Sequence, residues 1–151
     1  MKFIRALLIL VLLLSTTWVA QAQMNMINHN TPVVVTQDLY DTAYQHFGPR
    51  PNNVLRERPY LTPWLYMRIW NKVGQPPTGP QKDMFFCSEV RPADYKVGKA
   101  DITGNRARVN VKLDWGLGIK TDVGVLLKQN NGVWQVDDID YGIFGRLSSY
   151  L

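Results

Sequence analysis

Hydrophobic positions change period once along this chain. Up to about residue 75 they recur every three to four positions, and from Ala93 they recur every two. Within Val34–Phe47 the residues Val35, Leu39, Ala43 and Phe47 lie four apart, and Tyr40 and Tyr44 widen the stripe. That spacing predicts an amphipathic helix, ended by Gly48-Pro49-Arg50-Pro51. A second helix has both ends marked. Thr62 suits an N-cap, and Pro63 suits the first helical position, where its missing N–H costs nothing. Leu65, Ile69 and Val73 share one face, Gly74 fits the position just past the end, and Pro76-Pro77 block continuation. Gln75–Lys82 reads as a Pro/Gly-rich loop.

The period-two region predicts strands at 94–102, 106–115, 119–129 and 133–141. Ala107, Val109, Val111, Leu113 and Trp115 alternate with polar residues, as do Ile119, Thr121, Val123, Val125 and Leu127. Gly104-Asn105 suits a type II′ hairpin and Asn131-Gly132 a type I′ hairpin, and Gly116-Leu117-Gly118 suits a three-residue loop. These turns place Val111 against Val123, Val109 against Val125, Lys112 against Asp122, Asp114 against Lys120 and Asp101 against Arg108. A slip of one residue would destroy the match on both faces. Helices followed by strands give an α+β fold: two N-terminal helices packed on a curved four-stranded antiparallel meander. The helices cover the apolar face, and the charge-paired face meets water or a partner.

Residues 1–22 stand outside this pattern. Lys2 and Arg5 precede the apolar run Ala6–Leu14, and Ala20-Gln21-Ala22 offers a small-x-small cleavage site. This is the form of a secretory signal peptide cut after Ala22, with a run too short to span a membrane comfortably. No cysteine follows the site, so a lipid anchor there is not expected, nor any stable membrane anchor after cleavage. The polar stretch 23–33 reads as a flexible mature N-terminus, and 34–151 as a single domain. The expected location is secreted, in a bacterial periplasm. Cys87 is the one cysteine, so no intrachain disulfide can form. The formal charge of +5 falls to +3 without Lys2 and Arg5. That excess is spread along the chain with no basic stripe, which argues against nucleic-acid binding.

The candidate chemistry centres on "VDDIDY", Val136–Tyr141. Unbroken alternation would turn Asp138 inward, opposite Val125, where burial could fit it as a general base. A bulge at Asp137-Asp138 would instead turn Ile139 and Tyr141 inward and the aspartates outward. The apolar residues favour the bulge. Alternation splits adjacent aspartates between faces, and His29 and His46 bring no ligand set, so no metal and no cofactor are expected. No Gly-x-Ser-x-Gly, thiol-protease context or phosphate loop occurs, and an enzyme is not expected. Tyr60, Trp64, Tyr66 and Trp70 surround the second helix, with Trp64 and Trp70 on different faces. An exposed aromatic near Arg68 would make a binding anchor. Met84, Phe85 and Phe86, in the Gln75–Arg91 loop, either lid the core or meet a partner. The same choice faces Tyr141 and the tail residues Ile143, Phe144 and Leu147.

The element order, "YLTPWL" at Tyr60–Leu65 and the closing "NGVWQVDDI" at Asn131–Ile139 resemble the nuclear transport factor 2-like superfamily, a cone of helices over a curved sheet. The likeness runs from about Thr36 to Tyr141. Within that superfamily it is similar to a bacterial secreted family of unknown function that includes periplasmic immunity proteins blocking type VI secretion amidase effectors. The resemblance implies a non-enzymatic binding protein, immunity-type, with a protein rather than a small molecule as partner. It leaves a homodimer open. The alternative it implies is a small-molecule binder, or a lyase/isomerase-type enzyme, using the cone cavity with Asp138 as base.

Overall fold

The computed structural model describes residues 31–48, 57–75 and 82–151. The leader, the 23–30 segment and most of the Pro/Gly-rich loop lie outside the described residues.

Helix α1 is Pro32–Gln45, starting two residues before the expected Val34. Thr31 caps it, its Oγ1 accepting the Val34 N–H at 3.3 Å. Pro32 takes a first-turn position, where no N–H is required. The helix stops at Gln45, so Phe47 packs on the core from outside it. Helix α2, Pro63–Val73, begins as expected: Thr62 Oγ1 accepts the Leu65 N–H at 3.3 Å. Gly74 ends it in a right-handed conformation, φ −72°, its N–H donated to the Trp70 carbonyl.

Strands β1 (Asp94–Thr103), β2 (Arg106–Asp114), β3 (Lys120–Asn130) and β4 (Val133–Asp140) form an open antiparallel sheet in the order 1-2-3-4. The fold is α+β, two helices on a four-stranded sheet. The expected register holds: Val111 faces Val123, Val109 faces Val125, Lys112 faces Asp122 and Asp101 faces Arg108. Asn131 (φ 49°) and Gly132 (φ 80°) both adopt the left-handed conformation that a type I′ turn needs.

Two bulges interrupt the ladders. One lies between Val97 and Ala100 in β1. The other makes Asp137 the extra residue of β4: Leu127 pairs with Val136, but Leu126 pairs with Asp138. Ile139 therefore faces Val125 and is fully buried. The inner face of β2 and β3 belongs to one core with Leu39, Tyr40, Leu65 and Ile69, and α2 packs chiefly against β4. That face ends at Val123; Ile119 and Thr121, expected to continue it, are exposed at the hairpin end. β4's outer edge is met at its middle by a parallel bridge from Leu61 to Val136 and at its C-terminal end by an antiparallel bridge from Arg146 to Asp140. An edge paired in this way offers little template for another strand.

Candidate functional site

The three aspartates of β4 serve three different neighbours. Asp137, the bulged residue, accepts a hydrogen bond from Thr62 Oγ1 at 3.1 Å, which ties the start of α2 to the sheet. The Thr62 N–H donates to the Val136 carbonyl at 2.8 Å, and Gln135 Nε2 to the Leu61 carbonyl at 3.0 Å. Asp138 is buried, 9% exposed. Its Oδ1 accepts the N–H groups of Ile139 (2.9 Å) and Ser148 (3.0 Å), and its Oδ2 accepts the Ser148 hydroxyl at 2.6 Å. Asp140 pairs with Arg108 at 2.8 Å. Arg108 reaches it by lying across Gly124, where an added Cβ would sit 2.2 Å from the guanidinium. This pairing, with a bond from the Gly142 N–H, holds the Asp140 carboxyl below the usual carboxylate range.

The bulge thus decides the sequence alternatives, with one change. Asp138 does leave the apolar face, but the tail covers it, so it does not meet open solvent. Asp138 accepts three hydrogen bonds from Ile139 and Ser148, at least one on each oxygen, and it does not line the cavity at the end of α2. Among the described residues no three His, Cys, Asp or Glu side chains could hold a metal ion. No helix among them is long and apolar enough to cross a membrane.

The binding candidates divide by burial. Phe85 and Phe86 are core residues, 0% and 2% exposed, and cannot reach a partner. They are turned inward because Asp83 Oδ1 accepts both their N–H groups, at 2.9 and 3.3 Å, and folds the loop under α1. The Tyr40 hydroxyl locks that loop by donating to the Phe85 carbonyl. Tyr141 is also interior, its hydroxyl donated to the Met84 carbonyl. Burial holds its ionisation well above the ordinary phenol range. Tyr60 and Met84 are half-buried. In the tail, Leu147 docks in the core, while Ile143 and Phe144 project outward.

Trp64 and Arg68 come together on the surface of α2, while Trp70 lies farther round the helix beside Tyr66. Leu65 and Ile69 turn the inner face of α2 to the core. At about 100° per residue, Trp64 and Trp70 diverge by roughly 120°, with Met67 midway between them. All three are about half exposed: 50%, 52% and 47% in chain order. Arg68 stacks over Trp64 at 5.2 Å, Arg58 over Tyr66 at 5.3 Å, and the Tyr66 and Trp70 rings lie 6.2 Å apart. Met67 was missed in the sequence, although it sits three residues from each tryptophan. The result is a rigid outward face of aromatic, thioether and guanidinium groups. Such side chains are enriched where proteins bind one another.

No family model matches the sequence, and no curated protein does. Two solved structures resemble the fold. One is the native type VI effector–immunity complex Tae3-Tai3 from Ralstonia pickettii, whose matching chain is 24% identical with a TM-score of 0.57. The match covers 74% of this chain and 95% of that one. The other is the selenomethionine form of the same complex, at 22% identity and a TM-score of 0.58, covering 74% and 96%. At this identity the likeness establishes a shared fold, that of a chain found in effector–immunity complexes.

Proposed function

We propose that the chain is an exported, non-enzymatic binding protein of the immunity type, which inhibits a secreted effector enzyme by docking on it. The observation that carries this reading is the outward face of α2, where Trp64, Met67 and Trp70 stay half exposed on a capped, well-packed helix. Solvated aromatic area of this kind is offset when a partner covers it. The fold likeness to effector–immunity complexes supports the reading, as does the leader with its site at Ala22. The structural bonds made by Asp137, Asp138 and Asp140 favour the binding reading over the catalytic alternative. The superfamily assignment belongs to the same proposal, supported by two bulges of the sort that bend a sheet.

The test is titration calorimetry of residues 23–151 against type VI effectors. The first probe is Tae3 of Ralstonia pickettii; those of the chain's own source organism follow. A complex with Kd below about 1 μM and loss of effector activity are expected. Truncating Trp64, Met67 and Trp70 together to alanine should weaken it about 100-fold or more. No binding to any effector, or a triple variant that binds like the parent, overturns the proposal.

A further inference from the structure

A cavity of about 270 Å³ lies where the C-terminal end of α2, the 82–87 loop and the tail meet. Its apolar lining comes from Met84, Phe144, Leu147 and Tyr150, and two cations, Lys72 and Lys82, stand at it. Its phenol hydroxyls are already spent. The Tyr141 hydroxyl donates to the Met84 carbonyl, and the Tyr150 hydroxyl to the Phe144 carbonyl. The Asp83 carboxylate accepts the N–H groups of Gly48, Phe85 and Phe86. Among the described residues, neither lysine has a carboxylate at ion-pair distance. A sugar or a nucleotide base needs several free neutral donors and acceptors, and with both phenol hydroxyls engaged this cavity offers it few. Two ammonium groups then stand against the one engaged carboxylate of Asp83, and this excess of positive charge beside apolar surface is complementary to an anionic head on a short apolar tail.

We propose that this cavity binds a small anionic amphiphile, a free monocarboxylate with a tail of about eight carbons. The carboxylate is taken by Lys72 and Lys82, and the tail lies on Met84, Phe144, Leu147 and Tyr150. A volume of about 270 Å³ suits a short tail rather than a long-chain lipid. The site is independent of the proposed partner face, whose exposed side chains lie elsewhere on α2.

Cys87 lines the same cavity and reports on its occupancy. Burial raises its thiol pKa, with Lys82 opposing the shift. The experiment measures alkylation of Cys87 by iodoacetamide in the purified protein, with and without sodium octanoate. Octanoate is expected to slow alkylation saturably, at least fivefold, whereas octyltrimethylammonium of equal tail length does not. The double variant K72E/K82E is expected to lose the protection. Both positions are exposed, so the variant folds, and the ratio of rates with and without octanoate cancels any change in thiol reactivity. Absence of protection, equal protection by the cationic amphiphile, or full protection of K72E/K82E overturns the proposal. Protection by phosphatidylglycerol vesicles with none by octanoate overturns it in favour of a membrane surface.

Discussion

Replacing Asp138 separates a structural carboxylate from a catalytic one. Its side chain joins β4 to the tail through two bonds, from the Ser148 N–H and the Ser148 hydroxyl. A hydrogen bond to a charged group contributes about 1.5–3 kcal/mol, and these two share one carboxylate near the surface, so the lower values apply. Asp138→Ala removes both and strands the Ser148 donors. The expected loss is about 2–4 kcal/mol. Asp138→Asn keeps one carbonyl oxygen for the backbone donors, and the Ser148 hydroxyl can rotate to accept from the new amide. Its expected loss is about 1 kcal/mol. If the tail undocked completely, exposing Leu147 would add about 1.5–3 kcal/mol. Urea unfolding of the parent and both variants gives the stabilities. Hydrogen exchange at Ser149 and Tyr150, whose N–H groups bond within the tail, reports whether the tail itself is released. A double cycle with Ser148→Ala isolates the pair, with an expected coupling of about 1–2 kcal/mol. If both Asp138 variants unfold within about 0.5 kcal/mol of the parent, Asp138 does not hold the tail, and the assignment made from its bonds fails.

Three further outcomes follow from the same geometry. Thr62→Ala should cost about 1–2 kcal/mol in urea unfolding, because Thr62 both caps α2 and donates to Asp137; an unchanged midpoint would refute that double role. Gly124→Ala should leave stability within about 0.5 kcal/mol, since better strand propensity offsets an exposed ion pair. It should also push Arg108 away and let the Asp140 pKa, measured by NMR, rise towards the ordinary range. Because folding depresses that pKa, the parent's contribution from Asp140 is present above about pH 4 and is lost as pH falls through the folded value; the variant, which keeps the Gly142 N–H bond, should show a smaller loss. Tyr40 and Tyr141 are both raised by burial, so their stabilisation is full below about pH 10 and declines as pH climbs above it. Ultraviolet titration should show these two phenols ionising only as the protein unfolds, and free titration of all tyrosines in the folded state would contradict their burial.

The sheet register was legible because it is local. Gly132 with Asn131, and Gly104, permit turn conformations that other residues resist, and each turn sets the pairing of the strands it joins. The caps at Thr62 and Gly74 are local in the same way, needing only the adjacent backbone. The candidate site was legible in part. Trp64, Arg68 and Trp70 stood out by type, but which of them would face water depended on how α2 rolls onto the sheet. That roll is decided by the burial of Leu65 and Ile69 against β-strands tens of residues away in the chain, and it exposed Met67 as well.

The contrast is sharpest at the aspartates. Alternation along Val133–Asp140 determined by itself that either Asp138 or Ile139 must face the core, because a strand turns successive side chains to opposite sides. Which one does so was settled by the tertiary structure. Fully burying Ile139 is favourable, whereas burying Asp138 on the apolar side would strand a charge. One extra residue at Asp137 resolves the conflict. It is stable there because Thr62, on a different element, donates its hydroxyl to the displaced carboxylate, and because Ser148 on the tail donates to the next one. Phe85 and Phe86 were ambiguous for the same reason: their inward turn depends on Tyr40 and on the fold of the Asp83 loop, contacts that no periodicity within the loop encodes. Local steric preference wrote the strands, turns and caps into the sequence; competition among distant groups for burial and hydrogen bonds was resolved only when the chain packed.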